Sequence, residues 1–207
     1  ADLRDAVLSR ANLFNVDYCH TRLEGALVDG VELNPALPWL VAGRGADGTF
    51  TADQLVVTLN TNPPDTLQCI RLEGLDLTGA DLGRANLTDA ILVDVRLANA
   101  RLGAAVLAGA QLLRVFLAGA VLTDVDLSGV SLSEVTLSGA NLTQANLTGQ
   151  ALPEADLRGC TLVRTNLSGT DLTGARLDNS TLSQANLADA RASGASFAGG
   201  VLDGLVG

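Results

Sequence analysis

The sequence predicts an all-β solenoid, and three observations predict it. Leucine recurs at every fifth residue from Leu72 to Leu187, 24 times without a miss. The 207-residue chain is 47% hydrophobic but only 3% aromatic, and it holds 22 glycines. No run reaches the roughly 18 apolar residues that a membrane helix needs. A period of five fits neither the 3.6 of a helix nor the 2 of a flat strand. It fits a chain that turns a corner every five residues, with two of five side chains inward and three outward.

Residues 1–35 are the first coils. Leu3, Leu8, Leu13, Tyr18, Leu23, Val28 and Leu33 mark the period, preceded by Ala1, Ala6, Ala11, Val16, Thr21, Ala26 and Val31. Residues 36–69 drop the period and form an insertion that contains the only tryptophan, Trp39. An unstructured loop of that length is uncommon, so the insertion is expected to have structure of its own. Thr51-Ala52-Asp53-Gln54 has the form of a capping box opening a helix through Leu55, Val56, Val57 and Leu59. A shorter helix over residues 38–42 would precede it, and Pro63-Pro64 marks the exit, giving a helix-loop-helix-like unit.

Residues 70–207 are the main coils. The frame runs on from Leu187 through Ala192, Phe197 and Leu202, and a small or β-branched residue is expected two places before each leucine, as at Ala80, Val95 and Ala140. Glycines at the repeat's end (Gly74, Gly79, Gly109, Gly119, Gly129 and Gly139) suit a corner that needs positive φ. A buried leucine contributes about 2 kcal/mol before the entropy of ordering it is subtracted.

Segments such as Ala80-Asp81-Leu82-Gly83-Arg84 and Ala140-Asn141-Leu142-Thr143-Gln144 have the form A(D/N)LXX. The chain thereby resembles the pentapeptide-repeat family over about four fifths of its length. The resemblance implies a right-handed quadrilateral β-helix with four pentapeptides to a coil. Applied to both frames, it gives about eight and a half coils in a single rod over 1–207, roughly 40 Å long at the inter-strand spacing.

Composition excludes most chemistry. All 13 basic residues are arginine, the formal charge is −10, and His20 is the one histidine. The acidic balance opposes direct nucleic-acid binding. A core of leucine leaves no pocket in which acid, base and nucleophile could converge, so the chain is read as no enzyme, with no cofactor and no catalytic or metal-binding residue. The loop Gly43-Arg44-Gly45-Ala46-Asp47-Gly48-Thr49-Phe50 copies the centre of a calcium-binding loop, but Asp47 is its only carboxylate in a ligand position. Calcium needs several, and a glycine turn between helices is the preferred reading.

Cys19, Cys69 and Cys160 show no metal or redox spacing. A Cys19–Cys69 disulfide would close a long loop in an oxidising compartment, but the unpaired state is preferred. Cys160 reads as a small buried residue. Triplets such as Asn146-Leu147-Thr148 match glycosylation acceptors, but the repeat generates them automatically. The absence of methionine reads as a processed or trimmed start. Family members are frequent in cyanobacteria and the thylakoid lumen, so the resemblance implies a cytoplasmic protein or, after leader removal, one of the lumen or periplasm. No membrane insertion is expected.

Function falls to surfaces. Ile91, Val93, Val106, Leu113, Phe116 and Val121 are apolar at outward positions, and Val93 lies 20 residues before Leu113, one coil above it. Exposed apolar clusters mark contacts, and cover by the insertion is preferred to a partner as the explanation. The expected function is a scaffold or protein-protein interaction module whose candidate residues are Trp39, Phe50, Val93, Leu113 and Phe116, with an end-to-end homodimer as its assembly option. The resemblance also implies an alternative, a DNA-mimic rod that binds a type II topoisomerase, gyrase. The main coils weigh against it: nine arginines against fourteen carboxylates leave −5, far sparser than the one charge per about 1.7 Å of DNA.

Overall fold

The computed structural model describes Val7, Asn12–Leu13, Glu32–Leu33, residues 67–68 and residues 70–207. The helices expected in the insertion, and Trp39, Phe50, His20, Cys19 and Cys69, fall outside the described residues. Within them the chain is a parallel β-helix. Strands β1 (Asn12–Leu13) and β2 (Glu32–Leu33) pair in parallel, with Asn12 opposite Glu32. Strands β3 (Arg71–Glu73), β4 (Ile91–Val93), β5 (Gln111–Leu113) and β6 (Ser131–Ser133) form a four-stranded parallel sheet in chain order. Every register is twenty residues, as in Leu72 opposite Leu92 and Asn146 opposite Asn166. Twenty residues at five per side make four faces. Their outward rows start at Arg71, Asp76, Asp81 and Asn86 and are called the first to fourth faces.

The axis is leucine, for the reason the period predicts. Of the 24 leucines from Leu72 to Leu187, 22 are buried, and Leu132 and Leu187 are half-buried. Leu67 and Ile70 already occupy axial and corner places and are buried. The corner residue two places before each leucine is small in most coils because it shares the axis with that leucine. Gln150 breaks the expected rule and Leu75 strains it; Gln150 is buried and Leu75 packs half-buried against the core.

Most corners are β-turns closed by a bond from the next corner residue back to the leucine, as from Ala80 N–H to Leu77 O at 3.0 Å. The third turn residue takes positive φ, the type II form. Fourteen non-glycine residues have positive φ, among them Arg84 at 62° and Asp89 at 55° in such turns. Five of the six glycines singled out from the sequence hold it too, whereas Gly129 does not. Positive φ therefore belongs to the position and not to glycine, because the surrounding ladder holds even residues that resist it.

The Asp or Asn of A(D/N)LXX has a local role that the sequence reading missed. Its Oδ1 accepts the backbone N–H two residues on, as at Asp76–Thr78, Asn141–Thr143 and Asn166–Ser168. Where a hydroxyl follows, it donates to the same oxygen, at 2.7 Å from Thr143 to Asn141. Short polar side chains favour such turns because they can bond their own backbone. The signal is present in the N-L-T and D-L-S triplets of the repeat, such as Asn146-Leu147-Thr148 and Asp126-Leu127-Ser128.

Candidate interaction surface

Parallel register places the outward residues. Val93 and Leu113 stand directly opposite each other on the first face, with Ile91 opposite Gln111. Phe116 lies round the corner from Leu113 on the second face, opposite Arg96 and Thr136. Val121 belongs to the third face and Val106 to the fourth, so the six apolar residues are no single patch. Ile91, Val93, Leu113 and Phe116 form the contiguous part.

Exposure divides that part. Val93 is buried at 9%, contrary to its expected place on the open surface. Leu113 is half-buried, and Phe116 is exposed at 44%. Beside Leu113, Arg114 Nε and Nη2 donate to the two carboxylate oxygens of Asp94 at 2.7 and 2.8 Å. This fork holds the Asp94 carboxyl below the usual range and raises the arginine. Both side chains are nearly half exposed, so the pair serves more as a fixed polar rim than as a source of stability.

Other carboxylates are tuned by their turns. Thr78 bonds hold Asp76 low, Ser128 N–H and Oγ hold Asp126 low with help from Asn146, and Arg158 holds Asp156 low. None of these groups lines an enclosed polar site. Among the described residues no three His, Cys, Asp or Glu gather to hold a metal ion, and no helix is long and apolar enough to cross a membrane. Cys160 is buried, its thiol donates to Leu137 O at 3.0 Å, and burial pushes its pKa up to about 11. It is a corner residue and no nucleophile.

Buried polar corners make a pattern that sequence reasoning did not find. Thr165 Oγ1 donates to Leu142 O at 2.7 Å and Thr170 Oγ1 to Leu147 O at 3.0 Å, each 23 residues back. Gln150 does the same with a longer arm, bonding Leu127 O at 2.5 Å and Val130 O at 2.9 Å. A leucine carbonyl at the corner has a second lone pair, so a polar corner residue one coil on is satisfied without water.

Comparison with known proteins follows the same lines. HetL, a pentapeptide repeat protein involved in heterocyst differentiation regulation in the cyanobacterium Nostoc, is similar at 29% identity, over 99% of this chain and 84% of that one, with a TM-score of 0.48. QnrB1, a plasmid-mediated fluoroquinolone resistance protein, is similar at 17% identity over 69% and 88%, with a TM-score of 0.40. A pentapeptide repeat protein from the Arabidopsis thaliana thylakoid lumen is similar at 24% identity over 61% and 70%, with a TM-score of 0.17. No curated protein matches the sequence. Pentapeptide repeats match in eight copies, over residues 67–103, 100–139, 140–179 and 171–204. With its twenty-residue register, leucine axis and matched repeats over most of its length, the chain belongs to the pentapeptide-repeat family.

Proposed function

We infer that this protein is a non-catalytic scaffold that binds a protein partner, using the insertion 36–69 together with the outer apolar set beside it. The observation that carries the reading is Phe116: a phenyl ring 44% exposed on a rigid ladder, next to Leu113 and rimmed by the Asp94–Arg114 pair. Aromatic anchors inside a polar rim are typical of binding surfaces. Trp39 and Phe50 are the insertion's candidate contributions, since loops on rigid scaffolds commonly carry recognition. The right-handed rod of about eight and a half coils belongs to this reading, supported by the twenty-residue register of β1 with β2. So does an end-to-end homodimer, for which exposed Leu202, Leu205 and Val206 would supply apolar contact.

The test compares Phe116→Ser and a deletion of 36–69 with the intact chain, for partner binding and for self-association. Loss of binding in both is expected, with the deletion also self-associating through the uncovered apolar set. Unchanged binding and solubility in both would overturn the reading. The topoisomerase alternative rests on the family resemblance in repeat, overall acidity and a projecting insertion. The fourth face carries Asp89, Asp126 and Asp189 without an arginine, but the second and third faces are each balanced to zero. Inhibition of gyrase supercoiling by the rod would favour that alternative.

A further inference from the structure

The third face keeps every rung from Asp81 to Val201, whereas each of the other three faces misses one among the described residues. No rung pairs Val106 with Asp126 on the fourth face, Ser131 with Ala151 on the first, or Thr136 with Asp156 on the second. All three gaps border one coil. Above it the ladder stops after Ala104 N–H to Thr123 O at 2.8 Å and resumes at Ser131 N–H to Ala110 O at 2.9 Å. Below it the ladder stops after Leu127 N–H to Asn146 O at 2.8 Å and resumes at Gly139 N–H to Arg158 O at 2.8 Å. The two gaps overlap at Ser128, Gly129 and Val130, which no backbone bond joins to either neighbouring coil. They form one break that runs round three sides of the rod and crosses the chain once, at this corner.

In a solenoid each coil touches only its neighbours, so the rod is no stiffer at any level than the one interface there. Packing is loosest on the same side as the break. Leu132 and Val135 are half-buried, and Leu152, at 7%, is the most exposed of the buried axial leucines. Few bonds and loose packing mark where local motion begins. Gln150 is the tie across the first-face gap. Its backbone belongs to the lower side, where its N–H donates to Leu147 O and its carbonyl accepts from Asp171. Its side-chain amide reaches upward to Val130 O at 2.9 Å and Ser128 O at 3.3 Å. On the fourth face the gap is a cleft of about 390 Å³, so the coils there have room to approach.

We propose that the break is a hinge: the two parts of the rod bend about the unbroken third face, and the Gln150 amide is the latch that holds the first face closed. The third face lies opposite the first in a four-sided coil, so bending about it changes distances along the first face most. The motion turns the coils that carry Leu113 and Phe116 against the coils below. It is a property of the rod itself and does not depend on whether that surface binds a partner.

The test measures distances between two nitroxide labels by electron–electron double resonance, in the full chain carrying Cys19→Ser and Cys69→Ser; Cys160 is buried and stays. One pair, Arg71→Cys with Arg191→Cys, spans the break on the first face, and the other, Asp81→Cys with Val201→Cys, spans the same height on the third; all four positions are exposed. Each pair is about six coils apart, or about 29 Å at the inter-strand spacing. The first-face distance distribution is expected to be at least twice as wide as the third-face one. Gln150→Thr should widen it by a further half and leave the third-face pair unchanged. Threonine can keep the corner bond to Leu127 O, as Thr165 bonds Leu142 O, but is too short to reach Val130 O. Amides of Leu102, Leu122 and Leu142 that stay protected from exchange verify that this variant is folded. Equal widths for the two pairs in the parent, or a first-face width that Gln150→Thr leaves unchanged, would overturn the proposal.

Discussion

On the first face, the rows beginning at Arg71, Ile91, Gln111 and Ser131 run as three-residue strands, whereas those at Ala151 and Asp171 turn after a single paired residue. The turn bond from corner residue to leucine is absent in the first group and present in the second, at 3.2 Å from Ala155 to Leu152 and 2.9 Å from Ala175 to Leu172. The leucine period is identical in both. The residue after the leucine differs: Glu73, Val93, Leu113 and Ser133 in the strands, Pro153 and Thr173 in the turns. Proline's fixed φ suits the second place of a type II turn and not an extended strand. One repeat grammar thus supports two backbone forms, and the junction between them is where the ladder breaks. No bond joins Ala151 N–H to Val130 O; the Gln150 amide bonds that carbonyl instead. Leu132 and Val135, at the mismatched step, are left half-buried.

The largest expected effect tests the regular part. Leu142 is fully buried, and Leu142→Arg would place an unpaired charge on the axis, costing about 3–5 kcal/mol or more and unfolding several coils. A melting temperature kept at the parent value would break the axial assignment. Truncation sharpens the contrast: Leu142→Ala should cost about 3 kcal/mol, and Leu132→Ala at the junction about half of that. Equal losses in chemical denaturation would mean that the junction is as well packed as the regular coils.

Gln150 comes next. Removing its amide leaves the Val130 carbonyl without its donor, and Pro153 keeps the first face from re-forming the strand ladder. Gln150→Ala is expected to cost about 1–3 kcal/mol, and Gln150→Thr less, because Thr165 and Thr170 make the same corner bond. If the alanine variant melts higher than the parent, Gln150 is a wedge that strains the stack and not its plug.

The smallest effect is electrostatic. Asp126, lowered chiefly by the Ser128 N–H and hydroxyl, contributes stability that is present above its unfolded value near 3.8 and is lost as pH falls through the lower folded value. Asp126→Asn should leave neutral-pH stability almost unchanged and flatten the acid limb of the melting-temperature profile. An unaltered acid limb would show that the turn, and not the charge, is what the ladder needs there.

Much of this architecture was legible before any coordinates. The leucine row follows from counting, because a side chain repeated every fifth place can only share one axis; the twenty-residue coil and the opposition of Val93 to Leu113 follow from the family resemblance that the repeat carries. The candidate surface was less legible. Apolar outward residues were recognisable one by one, but Val106, Val121 and Phe116 lie on three different faces, and Val93 is buried. The Asx turns could have been found, since D/N followed two residues later by Ser or Thr recurs in the repeats. The corner bonds of Gln150, Thr165 and Thr170 could not, because their acceptors lie 23 residues away in chain and touch only through the coil.

By itself the sequence determined the period and the inward positions, both of which depend on residues within one or two repeats. The tertiary structure alone decided which backbone form each face takes, that Gly129 departs from the corner conformation, and that the fourth face opens between Val106 and Asp126. The physical reason is that every rung of a β-helix joins residues about twenty apart. Whether a rung closes depends on how two neighbouring coils fit together, and no single repeat carries that information.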